Sequence, residues 1–489
     1  MNRIHQVDNL HSLPVSGRGA YSAAAGHGFR ATHPYIPSPP LDAGVAGDAR
    51  PATTALRARF NEAAGRTRKD LIMCEQCGDA SHFAHSAADR KLSAALSSRR
   101  QFVATAMTGA ALLGASTPLF ASKAFGQVPT PSAPSQAMAD GYPAVGYIAD
   151  GTNSPLHRYS FTRRNLRADD VLIDILYSGV CHSDIHTVNG DWGQLSAPTI
   201  PGHEILGRVA AVGSSVSKFK VGDVAGVGCL VNSCGQCEYC RQGLEQYCSV
   251  GATFTYNSKD ENGQQTQGGY ANKIVVKESF VIKLPEKMNV AAAAPLLCAG
   301  VTTFSPMQHW NVGPEGKVGV VGLGGLGHMA VKIFKARGND VTIFTTSENK
   351  IGDAQRLGAS GAVLWSDKAE FDRLAGQFDF LLTTVPRTFE LDPFVNLLKV
   401  GGTIVNVGDL NNFDTGFNNG ALAGRRKQIG GSLIGGIAET QEIIDYCASR
   451  NILADVEVIP IEKINEAWRR VVDKDVRYRF VIDMSTLHA

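Results

Sequence analysis

The chain has 489 residues, enough for two or three domains of ordinary size. Apolar residues make up 44% and charged residues 19%, which excludes a wholly disordered chain, a collagen-like fibre and a long coiled coil. The formal net charge is only +2, so we expect no nucleic-acid partner. The ten cysteines are unevenly spaced, and five of them fall between Cys229 and Cys248.

The first part of the chain has little apolar periodicity and is rich in Ala, Gly, Pro, Ser and Arg. We therefore expect residues 1–97 to form a disordered extension. Cys74 and Cys77, followed by His82 and His85, resemble a metal tetrad, but their spacing is shorter than in common zinc fingers. We expect chance, or an incidental metal-binding tail, to explain them.

Residues 98–140 open with a pair of arginines, Arg99 and Arg100, before an uncharged segment at 102–121. This arrangement resembles a twin-arginine export signal followed by a linker. A weak membrane anchor is the alternative, since about 20 residues span a bilayer. We expect no stable membrane span in the rest of the chain.

From about residue 141 the sequence changes to short apolar segments separated by glycines. Segments 171–177 and 207–213 have the composition of strands, and similar ones continue to about residue 284, which predicts a β-rich domain. Beyond Pro295, strands alternate with helical patterns, which predicts βαβ units and a parallel sheet. These later segments are strands 318–321, 341–344, 378–382 and 403–407 and a helix at 328–337.

Four cysteines lie within fifteen residues in the spacing C-x2-C-x2-C-x7-C. Zn²⁺ takes four thiolates tetrahedrally, and such short spacings let one lobe of chain enclose the metal. Disulfides are the alternative in an exported protein, but two adjacent x2 spacings are awkward for bridges. The pattern predicts a structural zinc site that holds a loop together. Its ligands are Cys234, Cys237, Cys240 and Cys248.

Further metal-ligating residues are dispersed along the chain. Cys181 follows a predicted strand, His203 and Glu204 come some twenty residues later, and Cys298 lies in an apolar run. Two thiolates, one imidazole and an open position form the ligand set of a catalytic zinc. Spacing alone does not join these segments, because a lone cysteine in an apolar run is more often a core residue.

A glycine-rich turn follows the predicted strand 318–321. Gly322, Gly324 and Gly327 match the G-x-G-x-x-G pattern of dinucleotide-binding loops, with Gly325 and Leu326 inside the turn. The glycines allow the backbone to approach a pyrophosphate, whose charge lies at the N-terminus of the next helix. The turn therefore predicts a dinucleotide site.

The end of the next predicted strand indicates which dinucleotide binds. NAD-selective enzymes usually carry an acidic residue there, which holds the ribose 2′-hydroxyl. Here Thr346 and Ser347 occupy the position and Lys350 follows, which suits a 2′-phosphate and predicts NADP(H). Glu348 leaves open an alternative in which NAD is also used.

Together these motifs resemble the zinc-dependent medium-chain alcohol dehydrogenases. Within that family, the chain is similar to the cinnamyl alcohol dehydrogenase-like, NADP-dependent aldehyde reductases. The resemblance runs from about residue 141 to the C-terminus. It is carried by 179–184, 201–204, 234–248 and 322–327 for the family and by 294–300, 344–347 and 478–483 for the subgroup.

The resemblance implies an α/β fold of two domains. A β-rich GroES-like catalytic domain with the structural zinc lobe is expected at 141–292. A Rossmann domain, a doubly wound parallel sheet that binds NADP, is expected at 293–432, and 433–489 is expected to return to the catalytic domain.

It also implies roles for the dispersed residues. Cys181, His203 and Cys298 would bind the catalytic zinc, with Glu204 beside it as an occasional ligand. Asp184 would orient His203, since a ligating imidazole needs its other nitrogen held.

The same resemblance places a proton relay and a pocket around this zinc. Ser183 would lie nearest the reacting oxygen and His186 nearer solvent, where a group that titrates near neutral pH is suited. Thr302 would contact the nicotinamide side of the cofactor. Trp192 would line the substrate pocket, with simple packing as its alternative. His182 would be structural or line the pocket, with a catalytic role as the alternative.

The implied activity is reversible hydride transfer between NADP(H) and a primary alcohol or aldehyde, aromatic or medium-chain. Two zinc ions per chain and a homodimer are expected. The alternatives are a related dehydrogenase of polyols or formaldehyde–thiol adducts, and an inactive family member with a binding role.

The export-like segment favours the periplasm and makes the twin-arginine machinery an expected partner. The cytoplasm is the alternative, because NADPH is supplied there and thiolate zinc sites are safer in a reducing compartment.

Overall fold

The computed structural model describes residues 141–408, 410–411 and 416–487. The expected extension at 1–97, the expected export signal and linker at 98–140, and the Cys74/Cys77 tetrad lie outside the described residues. Within the described part, no single helix has both the length and the apolar composition to cross a membrane. The bent pair Val290–Leu297 and Ala299–His309 meets both criteria by length and composition alone.

Short strands dominate the first half of the described chain and recur through the second. In chain order they are β1 (Tyr142–Ile148), β2 (His157–Arg163), β3 (Asp170–Gly179), β4 (Ile205–Val212), β5 (Val224–Val227), β6 (Leu230–Asn232), β7 (Thr253–Phe254), β8 (Lys273–Lys277), β9 (Ile282–Lys283), β10 (Lys317–Val321), β11 (Asp340–Thr345), β12 (Gly361–Leu364), β13 (Phe378–Thr383), β14 (Leu398–Asn406), β15 (Gln428–Gly431), β16 (Val456–Pro460) and β17 (Arg479–Asp483).

Helices are few before residue 290 and regular after it. They are α1 (His182–Asn189), α2 (Glu238–Arg241), α3 (Val290–Ala293), α4 (Ala299–His309), α5 (Gly325–Arg337), α6 (Ile351–Arg356), α7 (Lys368–Leu374), α8 (Asp392–Leu397), α9 (Asn419–Ala423), α10 (Ile437–Arg450) and α11 (Ile464–Val472).

The first large sheet has seven strands in the order β16-β17-β3-β4-β5-β9, with β8 also paired to β3. Its pairs are antiparallel except for β16 with β17. The central strand β3 is apolar and buried, with Val171, Leu172 and Ile173 fully inaccessible, because both of its faces are covered. This sheet is the β-rich domain that the sequence predicts.

The second large sheet has six parallel strands in the order β12-β11-β10-β13-β14-β15. Helices cross between successive strands, and the strand order reverses beside β10, the strand that precedes the glycine-rich turn. Ligands of open α/β sheets bind at such a reversal, beyond the carboxyl ends of the strands. The predicted Rossmann-type parallel sheet is therefore confirmed.

The last part of the chain contributes elements to both large sheets' cores. Helix α10 packs against α4 through Ile443, Ile444 and Cys447, within the core that also holds the β10 strand. Strands β16 and β17 instead join the first sheet, where β17 pairs antiparallel with β3. The C-terminal strand thus lies directly beside the start of α1, where the predicted site residues begin.

Candidate active site

Helix α1 fixes the first group of site residues. Cys181 is its N-cap, and the Asp184 carboxylate accepts a hydrogen bond of 2.9 Å from the Cys181 backbone N–H. The helix ends at Gly190, whose φ of +78° is the left-handed conformation that favours glycine. Because helix α1 is capped at both ends, Cys181 is held at the end of β3 and faces into the molecule.

Four predicted metal ligands meet in one buried cluster. The ligand atoms of Cys181, His203, Glu204 and Cys298 all lie within 4.8 Å of one another, and all four residues are buried. The two sulfur atoms of Cys181 and Cys298 are 3.9 Å apart. The structure thus brings together residues that come from three distant parts of the sequence.

Asp184 holds this cluster in place. Its carboxylate is fully buried and accepts hydrogen bonds from the Gly202 backbone N–H at 3.1 Å and the Tyr270 hydroxyl at 3.0 Å, besides that from Cys181. It also lies 3.0 Å from Nδ1 of His203. The contact leaves Nε2 of that imidazole free to face the other ligands, which is the orientation a metal-binding histidine needs.

Arg479 belongs to the cluster although it is not among the residues predicted to form the site. Its guanidinium, on β17, pairs with the Glu204 carboxylate and lies 3.9 Å from the Cys181 sulfur. Burial raises the pKa of Glu204 to about 7, against the opposing effect of Arg479. The signal that could have revealed it is an arginine in a segment with the apolar pattern of a buried strand, Arg-Phe-Val-Ile-Asp. An arginine in such a strand needs a partner, because arginine is almost never buried unpaired.

The donor set fits a zinc ion. Two thiols, one imidazole and one carboxylate converge, and Oε2 of Glu204 is buried with no hydrogen-bond partner among the described residues. An unpaired buried carboxylate oxygen is costly, and a cation removes that cost. The Cys298 thiol, together with the nearby Arg479 and His203, lowers the pKa of Cys181 well below its usual value, which favours the thiolate that zinc binds.

The four-cysteine lobe forms a second metal-competent cluster. Its four sulfur atoms lie within 4.8 Å of one another, and those of Cys234 and Cys240 are 3.9 Å apart. A disulfide needs about 2.05 Å, and all eight described cysteines are free thiols. Backbone N–H groups also point at these sulfur atoms, for example that of Cys237 at 3.3 Å from the Cys234 sulfur. Four converging sulfur atoms fit the closed coordination of a structural zinc.

Two further described cysteines, Cys229 and Cys447, belong to neither ligand cluster. Cys447 is fully buried in the core. Cys229 is only half-buried. The pKa of the Cys298 thiol is raised by the Cys181 thiol and, after it, by the Cys229 thiol. Cys229 therefore lies nearer the buried ligand cluster than the sequence indicated.

A cleft of about 480 Å³ connects the buried ligand cluster to the glycine-rich turn. Cys181 and Cys298 are the two residues of that cluster in its lining. The predicted cofactor residues line the rest of the cleft. These are Thr302, Gly322, Gly324, Gly325, Leu326, Thr346, Ser347 and Lys350. Gly327, the remaining predicted cofactor residue, is not part of the lining and packs against Gly322.

The glycines of the turn have different reasons to be glycine. A Cβ on Gly327 would lie 2.1 Å from the Gly322 carbonyl oxygen, so the helix packs there directly against the turn. A Cβ on Gly324 would meet nothing within 4 Å. Protein packing therefore does not require a glycine at position 324. The open space there fits a ligand phosphate that comes close to the protein backbone.

The predicted 2′-phosphate residues line the cleft together with the glycine-rich turn. The Lys350 ammonium is buried and donates to the Leu323 carbonyl oxygen at 2.8 Å, which places it beneath the glycine-rich turn. Thr346 is exposed and Ser347 half-exposed, and both line the cleft. Glu348 is exposed, so its carboxylate is open to solvent.

The predicted relay residues are close to one another on α1. The Ser183 hydroxyl lies 3.6 Å from the Cys181 sulfur, and Nδ1 of His186 lies 2.6 Å from the Asp191 carboxylate. The ring of His186 lies between those of His182 and Trp192, at centroid distances of 5.3 and 5.1 Å. These side chains all line the cleft.

His182 and Thr302 complete the lining near the buried ligand cluster. Burial lowers the pKa of His182 to about 4, so its ring is neutral at physiological pH. The Thr302 hydroxyl is buried with no hydrogen-bond partner among the described residues. A buried hydroxyl that faces a cleft without a partner fits a contact with a bound ligand.

Two family models match the chain. The alcohol dehydrogenase GroES-like domain matches residues 167–286, and the zinc-binding dehydrogenase model matches residues 325–449. Both matches lie within the described part of the chain.

Relatives and solved structures extend this similarity over most of the described residues. The NADP-dependent alcohol dehydrogenase C 1 of Mycolicibacterium smegmatis is 49% identical over 344 residues, 70% of this chain and 98% of that protein. Aldehyde reductase YahK of Escherichia coli is 49% identical over 351 residues, again 70% and 98%. A cinnamyl alcohol dehydrogenase structure from Sorghum bicolor is 40% identical, with a TM-score of 0.68 over 70% of this chain and 98% of its own.

Proposed function

Because the chain belongs to the zinc-binding alcohol dehydrogenase family, we propose that it is an NADP(H)-dependent oxidoreductase that interconverts primary alcohols and aldehydes. One observation carries the proposal: Cys181 and Cys298 of the buried ligand cluster line the same cleft as the dinucleotide-binding turn. Such a cleft can hold an oxygen-bearing substrate carbon next to a nicotinamide.

Two bound groups supply the reaction's chemistry: zinc acts as a Lewis acid towards the substrate oxygen, and NADP(H) exchanges the hydride. Cys181, His203 and Cys298 are the proposed ligands of the catalytic zinc, with Glu204 beside them. Cys234, Cys237, Cys240 and Cys248 are the proposed ligands of the structural zinc.

The remaining residues position the reactants and move a proton. The Ser183 hydroxyl, beside Cys181, is placed to exchange a proton with the reacting oxygen. His186 holds the next proton position, and the Asp191 carboxylate fixes its ring through Nδ1. Trp192 packs beside that ring and lines the cleft.

The test is an assay of the purified full-length protein with NADPH and with NADH against aromatic and medium-chain aldehydes. Zinc is measured in the same preparation. We expect two zinc ions per chain, a preference for NADPH, and loss of activity in Cys181→Ala with the structural zinc retained. Turnover of polyols or formaldehyde–thiol adducts in preference to simple aldehydes would contradict the substrate class. Fewer than two zinc ions and no activity would favour a binding role.

We also propose that the protein is a homodimer. Strand β15 is the edge of the parallel sheet and, among the described residues, pairs only with β14. An open edge strand offers unpaired N–H and C=O groups to a second copy. Sedimentation of the purified protein tests the proposal: a single species at the dimer mass is expected, and a monomer would contradict it.

For residues 98–140 we propose a twin-arginine signal and delivery to the periplasm. Arg99 and Arg100 before an uncharged segment support this proposal, as does the position of residues 1–140 ahead of both family matches. Twin-arginine machinery would be the partner, and transport of the folded protein suits a metal- and cofactor-binding enzyme. Cell fractionation and the mature N-terminus test it, since an intact N-terminus on a cytoplasmic protein would contradict it.

A further inference from the structure

Three cationic side chains lie near one another, and two of them line the cleft. Lys350 comes from the segment after β11, whereas Lys474 and Arg477 come from the turn between α11 and β17; Lys350 and Lys474 are the two in the lining. Burial, and after it the positive charges of Arg477 and Lys474, lower the pKa of Lys350 to about 8. Cations held close together without an equal number of anions are typical of an anion-binding site.

Two of these three cations already have partners. The Lys350 ammonium donates to the Leu323 carbonyl oxygen, and Nε of Arg477 lies 2.5 Å from the Asp353 carboxylate. The Lys474 ammonium has neither an ion pair nor a hydrogen bond with any residue that the structure describes.

The acidic neighbours of Lys474 in the chain do not neutralise it either. Asp473 pairs with Arg469 at 3.1 Å, and Asp475 pairs with Arg470 at 3.1 Å. Lys474 therefore presents an unpaired positive charge to the cleft that it lines.

The backbone at Lys474 is unfavourable for lysine. Its φ is +61°, a left-handed conformation directly after the C-terminal turn of α11, where glycine is the common residue. A non-glycine residue in this conformation costs stability, and such residues cluster at ligand-binding positions. The strained backbone and the unpaired charge are independent observations at one residue.

We propose that Lys474 is a specificity-determining residue that binds the 2′-phosphate of NADP(H) together with Thr346, Ser347 and Lys350. The inference rests on the proposed use of NADP(H) and adds a contact from the β17 side of the chain. The phosphate would then be held both by the segment after β11 and by the α11–β17 turn.

The test measures binding of 2′,5′-ADP and of 5′-AMP to the purified full-length protein by calorimetry. The two probes differ only in the 2′-phosphate, and neither reports turnover. Variants Lys474→Ala and Lys474→Gly should each weaken binding of 2′,5′-ADP by about threefold to fivefold and leave binding of 5′-AMP unchanged, as expected for loss of one exposed charge contact. Lys474→Arg, which keeps the charge, should bind 2′,5′-ADP within about twofold of the parent protein.

Stability separates this role from a structural one. Lys474→Gly should raise the thermal midpoint by about 1–2 °C because glycine relieves the left-handed backbone, while it still weakens 2′,5′-ADP binding. Lys287→Ala, which removes an exposed lysine outside the cleft, should change neither measurement.

Parental affinity for 2′,5′-ADP in both Lys474→Ala and Lys474→Gly would overturn the proposal, as would an equal loss for 5′-AMP. If the parent protein itself does not distinguish 2′,5′-ADP from 5′-AMP, the proposed use of NADP(H) fails, and this inference fails with it.

Discussion

Asp184 joins four different parts of the site through a single carboxylate. It accepts from two backbone N–H groups and a tyrosine hydroxyl and fixes the His203 ring, while it is itself fully buried. A carboxylate suits this position because it accepts hydrogen bonds at every lone pair and has no N–H to oppose a donor.

Asp184→Asn should therefore be severe despite its similar size. The amide group directs two N–H donors at groups that also donate, which leaves buried donors unpaired at a cost of about 1–3 kcal/mol. We expect loss of one zinc ion per chain, at least about tenfold lower activity, and a lower thermal midpoint.

Tyr270→Phe is the matched control, because it removes only one of the donors to the same carboxylate. It should lose stability and keep both zinc ions. Full zinc content and full activity in Asp184→Asn would contradict the positioning role.

Lys350 gives a prediction about pH. Its pKa of about 8 in the folded protein means that it is protonated below pH 8 and neutral above it. The 2′-phosphate of the probe is already largely a dianion above pH 7, since its second pKa is about 6. Affinity for 2′,5′-ADP is therefore highest at neutral pH and should fall by about fivefold between pH 8 and pH 9, as the protonated fraction of such a group does.

Binding of 5′-AMP measured over the same pH range is the control, and it should stay constant. Lys350→Arg should remove the pH dependence, because arginine stays charged throughout. An equal slope for both nucleotides would show that another group is responsible.

At the scale of elements, the turn between β10 and α5 separates two requirements that the sequence motif combines. Gly327 is needed because the helix packs against the turn, whereas the space around Gly324 is open. The pattern G-x-G-x-x-G predicts the turn but does not show which glycine serves packing and which serves the ligand.

Two substitutions distinguish these roles. Gly324→Ala should leave the thermal midpoint within about 1 °C of the parent and weaken NADPH binding by about tenfold or more, because the new methyl group occupies the space of the ligand. Gly327→Ala should lower the midpoint, since its methyl group would lie 2.1 Å from a backbone oxygen. Fluorescence titration with NADPH and thermal unfolding measure the two effects, and the reverse outcome would contradict this assignment.

The same contrast explains how much the sequence could predict. The four-cysteine lobe and the glycine-rich turn are contiguous, so their spacing alone indicates their chemistry. Cys181, His203 and Cys298 are brought together by β3, β4 and α4, and spacing could not join them without the family resemblance. Arg479 and Lys474 were not predicted, because their roles depend on how the C-terminal turn and strand lie against the first half of the chain.

At the scale of the whole molecule, both ligand clusters and the cleft belong to the residues after 140. The relatives match about 70% of this chain and 98% of their own length, and both family models match residues after 140. The two large sheets and their cores are built from residues after 141.

A chain that begins at residue 141 should therefore retain the parent's zinc content, NADPH affinity and kcat/KM within about twofold, with a thermal midpoint within about 2 °C. Enzyme assays and thermal unfolding of both forms measure this. A large loss of activity would show that the first 140 residues contribute to the fold or the site.

The pairing of Arg479 with Glu204 has a consequence for biosynthesis. Chains emerge from the ribosome N-terminus first, at roughly 5–20 residues per second. Arg479 is near the end of a 489-residue chain, so strands β3, β4 and β5 of the first sheet can pair while the Glu204 carboxylate still lacks its counterion. The ligand cluster is completed only when β17 pairs with β3 after translation ends. Residues 1–140 are thus the first part of the chain available to other cellular factors, and the ligand cluster is the last part to be completed.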